Sequence, residues 1–216
     1  MNIIAKILEV LFPDTCVGCG MRGALLCGEC RRKIGPSPAP MHPFITSVFA
    51  YQDFRIKRLV KILKYRNARR VSAIFAPALA GALTEFAGEE HLFLGGRPIL
   101  LVPIPLSKKR QRSRGYNQSE LLAQEALKLL PGDRFVLDAG MLKKILETKP
   151  QADIKNRRAR LANLGDCYQV AEGGRGRGGA VVLIDDVTTT GATLLAARKA
   201  LRAAGYAKVH ALTVAH

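Results

Sequence analysis

Two adjacent carboxylates and a threonine-rich loop are the residues of this sequence best suited to chemistry on a phosphorylated sugar. They follow the apolar residues 181–184 and comprise Asp185, Asp186, Val187, Thr188, Thr189, Thr190, Gly191, Ala192 and Thr193. Carboxylate oxygens accept hydrogen bonds from vicinal hydroxyl groups. Backbone N–H groups from Thr188 to Thr193, together with hydroxyls, are expected to surround a phosphate at the start of the helix, because orphan donors and the helix dipole both attract anions. The pattern therefore predicts a ribose 5-phosphate site.

A buried strand and a following helix must position these residues. The four apolar residues 181–184 suit a strand that is buried on both faces. Leu194, Ala197 and Leu201 then recur at helical spacing. Open α/β sheets bind ligands where such strands end. An ordinary strand-to-helix turn is the simpler alternative, but it needs one capping residue, whereas this one has two carboxylates and four threonines.

The run from Asp185 to Thr193 resembles the phosphoribosyl pyrophosphate motif of type I phosphoribosyltransferases. Other parts of the chain resemble the ComF branch, including the Lys64-Tyr65 pair and the signature R-x-R-G-[YF]-N-Q at residues 112–118. The resemblance implies an α/β fold with a mainly parallel sheet flanked by helices. It also implies that Asp185 and Asp186 bind the ribose hydroxyls, that residues 189–193 bind the 5′-phosphate, and that Mg²⁺ accompanies the ligand.

A cationic segment follows a second apolar run at residues 99–105. Five of its seven residues from 108 to 114 are basic, and its candidate ligand-binding residues are Ser107, Lys108, Lys109, Arg110, Arg112 and Arg114. A basic loop at the end of a strand suits a second phosphate group, and this one resembles the pyrophosphate loop of the family. A nucleic-acid-binding patch is the alternative. Asn117, with Glu120 three residues later, is predicted to begin the next helix.

Residues 142–163 form a polar, basic segment that resembles the flexible catalytic loop of amidophosphoribosyltransferase-like proteins. Such a loop closes over the substrate and excludes water. The resemblance implies that the catalytic residues are Lys144, Thr148, Gln151 and Arg157. The sequence departs from the pattern at Leu146, where a basic residue is expected, and at Lys144, where Arg is usual. A solvated helix is the alternative interpretation of this segment.

Four cysteines near the N-terminus have the spacing of a metal site. Cys16 and Cys19 form one C-x-x-C knuckle, and Cys27 and Cys30 form a second one after seven intervening residues. Four thiolates suit one tetrahedral Zn²⁺, and a site closed by four cysteines is expected to be structural. A redox-active C-x-x-C is the alternative, but redox dithiols occur singly in a strand–helix–strand context.

The sequence predicts three parts: an amphipathic helix plus the four-cysteine finger at residues 1–35, a proline-rich linker at 36–44, and a phosphoribosyltransferase-like domain at 45–216. The formal net charge of +17 favours an anionic partner. No apolar run looks long enough to span a membrane and no signal peptide is recognised, so we expect a cytoplasmic protein without integral membrane association. The sequence leaves a homodimer open.

These features support two hypotheses. The first is an Mg²⁺-dependent phosphoribosyltransferase that transfers the phosphoribosyl group to an unknown acceptor. No cysteine follows Met1, so the glutamine-hydrolysing chemistry of amidophosphoribosyltransferases is not expected. The second, implied by the ComF resemblance, is a non-enzymatic competence factor for DNA uptake and natural transformation. It would bind single-stranded DNA or other competence proteins, with a sensory or vestigial phosphoribosyl pyrophosphate site.

Overall fold

The computed structural model describes residues 14–38, 42–65, 68–90, 97–145, 167–171 and 179–216. The predicted N-terminal helix therefore lies outside the described residues. A short 3₁₀ turn at Gly132–Arg134 precedes the third strand. The described helices and strands, in chain order, are α1 (Gly28–Arg32), β1 (Ile45–Phe49), α2 (Phe54–Tyr65), α3 (Ala68–Glu90), β2 (Ile99–Pro103), α4 (Lys108–Arg114), α5 (Gln118–Leu127), β3 (Phe135–Leu137), β4 (Leu142–Lys144), β5 (Tyr168–Val170), β6 (Ala180–Val187), α6 (Ala192–Ala203) and β7 (Lys208–Ala215).

Five of the strands form one sheet in the order β1-β7-β6-β2-β3, and every neighbouring pair is parallel. Strand β6, which carries the two adjacent aspartates, lies at the centre between β2 and β7. Strands β4 and β5 form a separate antiparallel ribbon. The predicted fold, a mainly parallel sheet flanked by helices, is confirmed.

The apolar run of β6 is buried on both faces, as its composition predicts. Val182 and Ile184 pack into the core that α2, α3 and α5 form on one side of the sheet. Val181 and Leu183 pack into the core formed by α6 and the β4-β5 ribbon on the other side. Successive side chains of a strand point to opposite faces, so a strand covered on both sides needs apolar residues at consecutive positions.

Helix α3 corrects the expectation that no segment is apolar enough to span a membrane. By length and composition alone, the helical residues Ala68–Glu89 meet that requirement, and no other helix in the described ranges does. Val71, Phe75, Leu79 and Leu83 on this helix are each 1% exposed or less and belong to the core beside the sheet. The long apolar stretch is therefore accounted for by packing within the protein.

Two segments have a different backbone from the one predicted. The cationic residues 108–114 form helix α4 where a loop was predicted, because the Ser107 side chain accepts a hydrogen bond from the Arg110 N–H and caps the helix. The helix ends at Gly115, whose φ of 75° lies in the left-handed region that glycine adopts without strain. Residues 142–144, predicted as part of a loop or a solvated helix, form strand β4.

The four-cysteine module contacts the helices that cover the sheet. Arg55, in the first turn of α2, donates hydrogen bonds to the carbonyl oxygens of Cys30 and Lys33. Arg58 donates to the Val17 carbonyl, and the Val17 side chain joins the core beside the sheet. The module is thus bound to the N-terminal end of α2. The proposed domain boundaries at residues 35 and 45 stay predictions.

Candidate functional site

The two aspartates lie inside β6, near its carboxyl end, and their carboxylates have different neighbours. Asp185 accepts hydrogen bonds from the Ser119 hydroxyl at 2.9 Å and from the backbone N–H of Asp186 at 2.9 Å. Asp186 is 5% exposed and accepts a hydrogen bond from the Val187 N–H at 2.8 Å. Its other oxygen, Oδ2, lies 3.0 Å from Nζ of Lys64. The acid pair is therefore held in place by α2, α5 and its own strand.

The environment of Asp185 makes it a carboxyl group that titrates near neutral pH. Burial raises its pKa from the ordinary value of 3.8 to about 7, and the negative charge of Asp186 acts in the same direction. Hydrogen bonds from the Asp186 N–H and from Ser119, together with the positive charge of Lys64, only partly oppose this shift. Asp185 can therefore donate or accept a proton at physiological pH.

Lys64 reaches the acid pair because the C-terminal end of α2 is fixed against the sheet. Leu63 is fully buried, and its carbonyl oxygen accepts a hydrogen bond from the Tyr116 hydroxyl at 2.8 Å. Burial raises the pKa of the Tyr116 phenol, so this phenol stays protonated and continues to donate. Lys64, the next residue of the helix, then faces Asp186.

A cationic cleft of about 500 Å³ lies beside this ion pair. Its lining residues come from the end of α2 and from α4, and they are Lys64, Tyr65, Arg110, Ser113 and Arg114. Of the residues predicted for the pyrophosphate loop, Arg110 and Arg114 line the cleft. Lys108, Lys109 and Arg112 are exposed residues of α4 that do not line it, and Ser107 serves as the helix cap.

The signature at residues 112–118 holds the elements of the site together. The Arg114 guanidinium donates a hydrogen bond to the Gln118 side chain at 2.8 Å and lies 5.9 Å from the ring centroid of Tyr65. Asn117 donates to the Ile104 carbonyl beyond β2 and accepts from the Ser119 N–H, so it begins α5 as predicted. Tyr116 fixes α2, as described above. Tyr116, Asn117 and Gln118 therefore position the elements around the cleft, and Arg114 lines the cleft itself.

The threonine-rich loop connects β6 to α6, as predicted, with one correction. The N–H of Thr188 donates to the Ala215 carbonyl in the adjacent strand β7, so it is not available to a phosphate. Gly191 has a φ of 71° and forms the N-cap of α6. A Cβ atom there would lie 2.8 Å from Cδ2 of His42 and 3.1 Å from Cδ1 of Ile45. The loop therefore needs glycine for its conformation and for close packing.

The β4-β5 ribbon brings one predicted catalytic residue toward the acid pair. Lys144 pairs with Tyr168 across the ribbon, and its Nζ lies 5.9 Å from the centroid of the Tyr168 ring. Burial raises the pKa of Tyr168, with a further contribution from the negative charge of Asp185, while Arg110 lowers it. Tyr168 therefore lies within electrostatic reach of both the acid pair and α4. Thr148, Gln151 and Arg157 lie outside the described residues.

The four predicted cysteine ligands come together in one cluster. The Sγ atoms of Cys16, Cys19, Cys27 and Cys30 all lie within 4.8 Å of one another, and those of Cys19 and Cys27 are 3.7 Å apart. A tetrahedral zinc site with bonds of about 2.3 Å places its sulfur atoms roughly 3.8 Å apart. A Cβ on Gly18 would lie 2.5 Å from Cys30 Sγ, so the turn needs glycine. The cluster could hold one metal ion.

Two thiols of the cluster differ in how readily they ionise. Burial opposes ionisation of Cys16, but its sulfur accepts backbone N–H bonds from Cys27 and Gly18, and together with further hydrogen bonds they lower its pKa to about 6. Burial raises the pKa of Cys30 to about 12, and hydrogen bonds with the other three thiols act in the same direction. The thiolate is the form of cysteine that binds a metal. Cys16 is therefore prepared for that role by the backbone around it.

Sequence patterns alone missed several residues of the site. Ser119 and Tyr168 were assigned no role, yet Ser119 contacts Asp185 and Tyr168 interacts electrostatically with the same carboxylate. Lys64 belonged to a pair resembling the ComF pattern, and that resemblance was the available signal for its contact with Asp186. No spacing rule relates these residues to the acid pair, because they come from other elements.

Known proteins similar to this chain are named for competence and DNA utilization. The competence protein ComFC of Bacillus subtilis is 28% identical over 169 residues, which are 78% of this chain and 62% of ComFC. The competence protein F of Haemophilus influenzae is 30% identical over 155 residues, which are 70% of this chain and 63% of that protein. The DNA utilization protein YhgH of Salmonella typhimurium is 29% identical over 182 residues, 83% of this chain and 74% of YhgH. No protein-family model matches the chain.

The parallel sheet flanked by helices and the four-cysteine cluster define a class: α/β proteins that carry a small cysteine-rich module. Within that class, the similarity to ComFC, competence protein F and YhgH is specific. These similarities, over 70–83% of the chain, support its membership of the ComF family.

Proposed function

We propose that this protein binds phosphoribosyl pyrophosphate together with Mg²⁺ at the carboxyl edge of its sheet. The observation that carries the proposal is the position of Asp186. This residue leads directly into the threonine-rich loop along the chain, and its carboxylate contacts Lys64, which lines the cationic cleft. A phosphate loop, a diol acceptor and a polycationic cleft are thereby contiguous, in the order in which the ligand carries its 5′-phosphate, ribose and pyrophosphate groups.

Each part of the proposed site matches a part of the ligand chemically. Asp185 and Asp186 accept hydrogen bonds from the ribose hydroxyls, and residues 189–193 surround the 5′-phosphate. Arg110 and Arg114 face the cleft, where planar guanidinium groups suit phosphate oxygens. The acid pair also offers the oxygen donors that Mg²⁺ prefers, and this ion, held mostly by ligand oxygens, neutralises negative charge on the pyrophosphate.

Transfer of the phosphoribosyl group is the finer part of the proposal. Displacement of pyrophosphate from the anomeric carbon needs a fixed sugar and charge neutralisation on the leaving group, with little covalent work by the protein. Lys144 is the predicted catalytic residue that the ribbon places near Tyr168, on the same side of the sheet as α6. An assay for pyrophosphate release in the presence of candidate amines, bases and oligonucleotides tests this step.

Calorimetric titration of the wild-type protein tests the binding proposal. Phosphoribosyl pyrophosphate with Mg²⁺ is expected to bind at one site per chain, and ribose 5-phosphate is expected to bind at least about tenfold more weakly, because it lacks the group that occupies the cationic cleft. Omitting Mg²⁺ is expected to weaken binding of the pyrophosphate ligand selectively. The absence of saturable binding with Mg²⁺ present would contradict the proposal.

A second candidate function is the binding of single-stranded DNA, which the names of the relatives favour. Tyr65 is 71% exposed at the cleft and lies under the Arg114 guanidinium, so its ring is accessible to a base. Tyr116, the other aromatic residue considered for stacking, donates its hydroxyl to Leu63 inside the protein. Tyr65 is therefore the residue we assign to base stacking, with the cations of α4 contacting the phosphates.

Replacement of this ring provides the test of DNA binding. Tyr65→Ala is expected to weaken binding of a short oligonucleotide by about tenfold, given a stacking contribution of roughly 1–3 kcal/mol per base. Wild-type affinity should also fall steeply between low and moderate salt, because phosphate contacts release counterions. Phe54→Ala, at the opposite end of α2, is the matched control. Equal losses in both variants, or a salt-independent affinity, would rule out stacking at Tyr65 on a cationic surface.

A further inference from the structure

Lys64 contacts Asp186 of the acid pair and also lines the cationic cleft. We infer that Lys64 binds a pyrophosphate oxygen of the ligand directly, in addition to its ion pair with Asp186. The inference rests on the proposed function, since it assigns to Lys64 a contact with the ligand proposed for the same site. It adds a cation from α2 to the pyrophosphate-binding residues, all of which were predicted on the segment after β2.

The surroundings of Lys64 leave room for a second interaction. Its side chain is 28% exposed, whereas that of Asp186 is 7% exposed, so the ammonium group lies at the boundary between the interior and the cleft. An ammonium group has three N–H donors, and its contact with Asp186 Oδ2 at 3.0 Å is an ion pair that does not have the geometry of a hydrogen bond. Lys64 also forms part of the cleft wall with Arg110 and Arg114. A ligand phosphate in that cleft is therefore within the range of the same ammonium.

Electrostatics provides the reason for a cation at this position. The Asp186 carboxylate and a pyrophosphate group both carry negative charge, and they would repel each other across a partly buried site. A lysine between them attracts both groups and offsets that repulsion. The ligand can then place its ribose hydroxyls against the acid pair and its pyrophosphate in the cleft at the same time.

Lys64 needs no rearrangement to act in this way, because its backbone is fixed. The hydrogen bond from Tyr116 to the Leu63 carbonyl holds the C-terminal end of α2. At the opposite end, Arg55 and Arg58 bind the carbonyl oxygens of the four-cysteine module. A charged group held in position before the ligand arrives binds it with a smaller loss of entropy than a freely moving one.

The alternative is that Lys64 acts solely by neutralising Asp186. A double-mutant cycle with inorganic pyrophosphate and Mg²⁺ as the titrated ligand separates the two roles. In the Asp186→Asn background there is no carboxylate for Lys64 to neutralise. A direct contact predicts that Lys64→Met still weakens pyrophosphate binding by about tenfold in that background, since a hydrogen bond to a charged group is lost. Lys61→Met, an exposed lysine of the same helix, is the matched control.

The outcomes distinguish this inference from the proposed function. If Asp186→Asn and the Lys64→Met/Asp186→Asn double variant bind pyrophosphate equally well while the wild type binds phosphoribosyl pyrophosphate, the inference is wrong and the proposed function stands. If the wild type binds neither ligand, both are wrong. Lys64→Arg, which keeps the charge, is expected to retain binding within a few-fold and shows that a loss in Lys64→Met does not come from misfolding.

Discussion

The double variant Asp185→Asn/Asp186→Asn is expected to bind phosphoribosyl pyrophosphate at least about a hundredfold more weakly than the wild type. Each charge-assisted hydrogen bond contributes roughly 1.5–3 kcal/mol, and the variant replaces the two carboxylates that we propose as acceptors for the ribose hydroxyls. The side chains keep their size, so the sheet around β6 is not disturbed. Calorimetric titration with Mg²⁺ present measures the change.

Stability against pH provides the internal control for this variant. The pKa of Asp185 is raised from 3.8 to about 7, so the folded protein holds a proton that the unfolded chain releases at lower pH. The contribution of Asp185 to the stability of the folded protein is therefore greatest below about pH 4. This contribution is lost as pH rises through about 7. The double variant lacks this loss, and its melting temperature should decline less than that of the wild type between pH 5 and pH 8.

A variant with the same change in charge elsewhere controls for general electrostatics. Glu125→Gln/Asp133→Asn removes two negative charges from α5 and from the turn before β3, away from the acid pair. This control is expected to bind the ligand as the wild type does. If Asp185→Asn/Asp186→Asn binds the ligand with wild-type affinity, the acid pair does not bind the ligand and the proposed function is contradicted.

We propose that the four-cysteine cluster binds one Zn²⁺, and removal of this ion is expected to lower the melting temperature by about 10 °C or more, since a loss of several kcal/mol shifts it by roughly 2–4 °C per kcal/mol in a chain of this size. Without the metal, the four thiols are no longer joined through a common ion, and the turn around Gly18 loses this cross-link. Metal analysis should find one Zn²⁺ per chain before chelation. Cys30→Ser should reproduce the effect.

We also expect that removal of the metal changes the ligand site. Arg55 and Arg58 bind carbonyl groups of the module, and the helix that carries them also carries Lys64 in its last turn. Chelation should therefore weaken binding of phosphoribosyl pyrophosphate at temperatures where the protein stays folded. Cys167→Ser is the matched control, because this fifth cysteine lies outside the four-cysteine cluster. Unchanged zinc content in Cys30→Ser would contradict the assignment of the cluster.

Local features of the site could be predicted because their causes are local. The apolar run of β6 requires burial on both faces, and the acid pair and threonine loop follow it within a few residues along the chain. The spacing of Cys16, Cys19, Cys27 and Cys30 brings four thiols together through two short turns. The start of α5 at Asn117 likewise depends on a cap formed by adjacent residues.

The contacts that complete the site depend on how separate elements pack. Residues 108–114 were expected to form a loop, but Ser107 and Gly115 make them a helix that presents only Arg110, Ser113 and Arg114 to the cleft. The N–H of Thr188 was expected to bind a phosphate, but it donates a hydrogen bond to the Ala215 carbonyl of the neighbouring strand β7.

The sequence by itself determined the strand, the acid pair, the loop and the cysteine cluster, because neighbouring residues and short periodicities specify them. Only the tertiary structure decided that Lys64 contacts Asp186 and that Ser119 contacts Asp185. Those contacts depend on the positions of α2 and α5 against the sheet. Buried apolar side chains distributed along the whole chain set these positions, and no local pattern of residues encodes them.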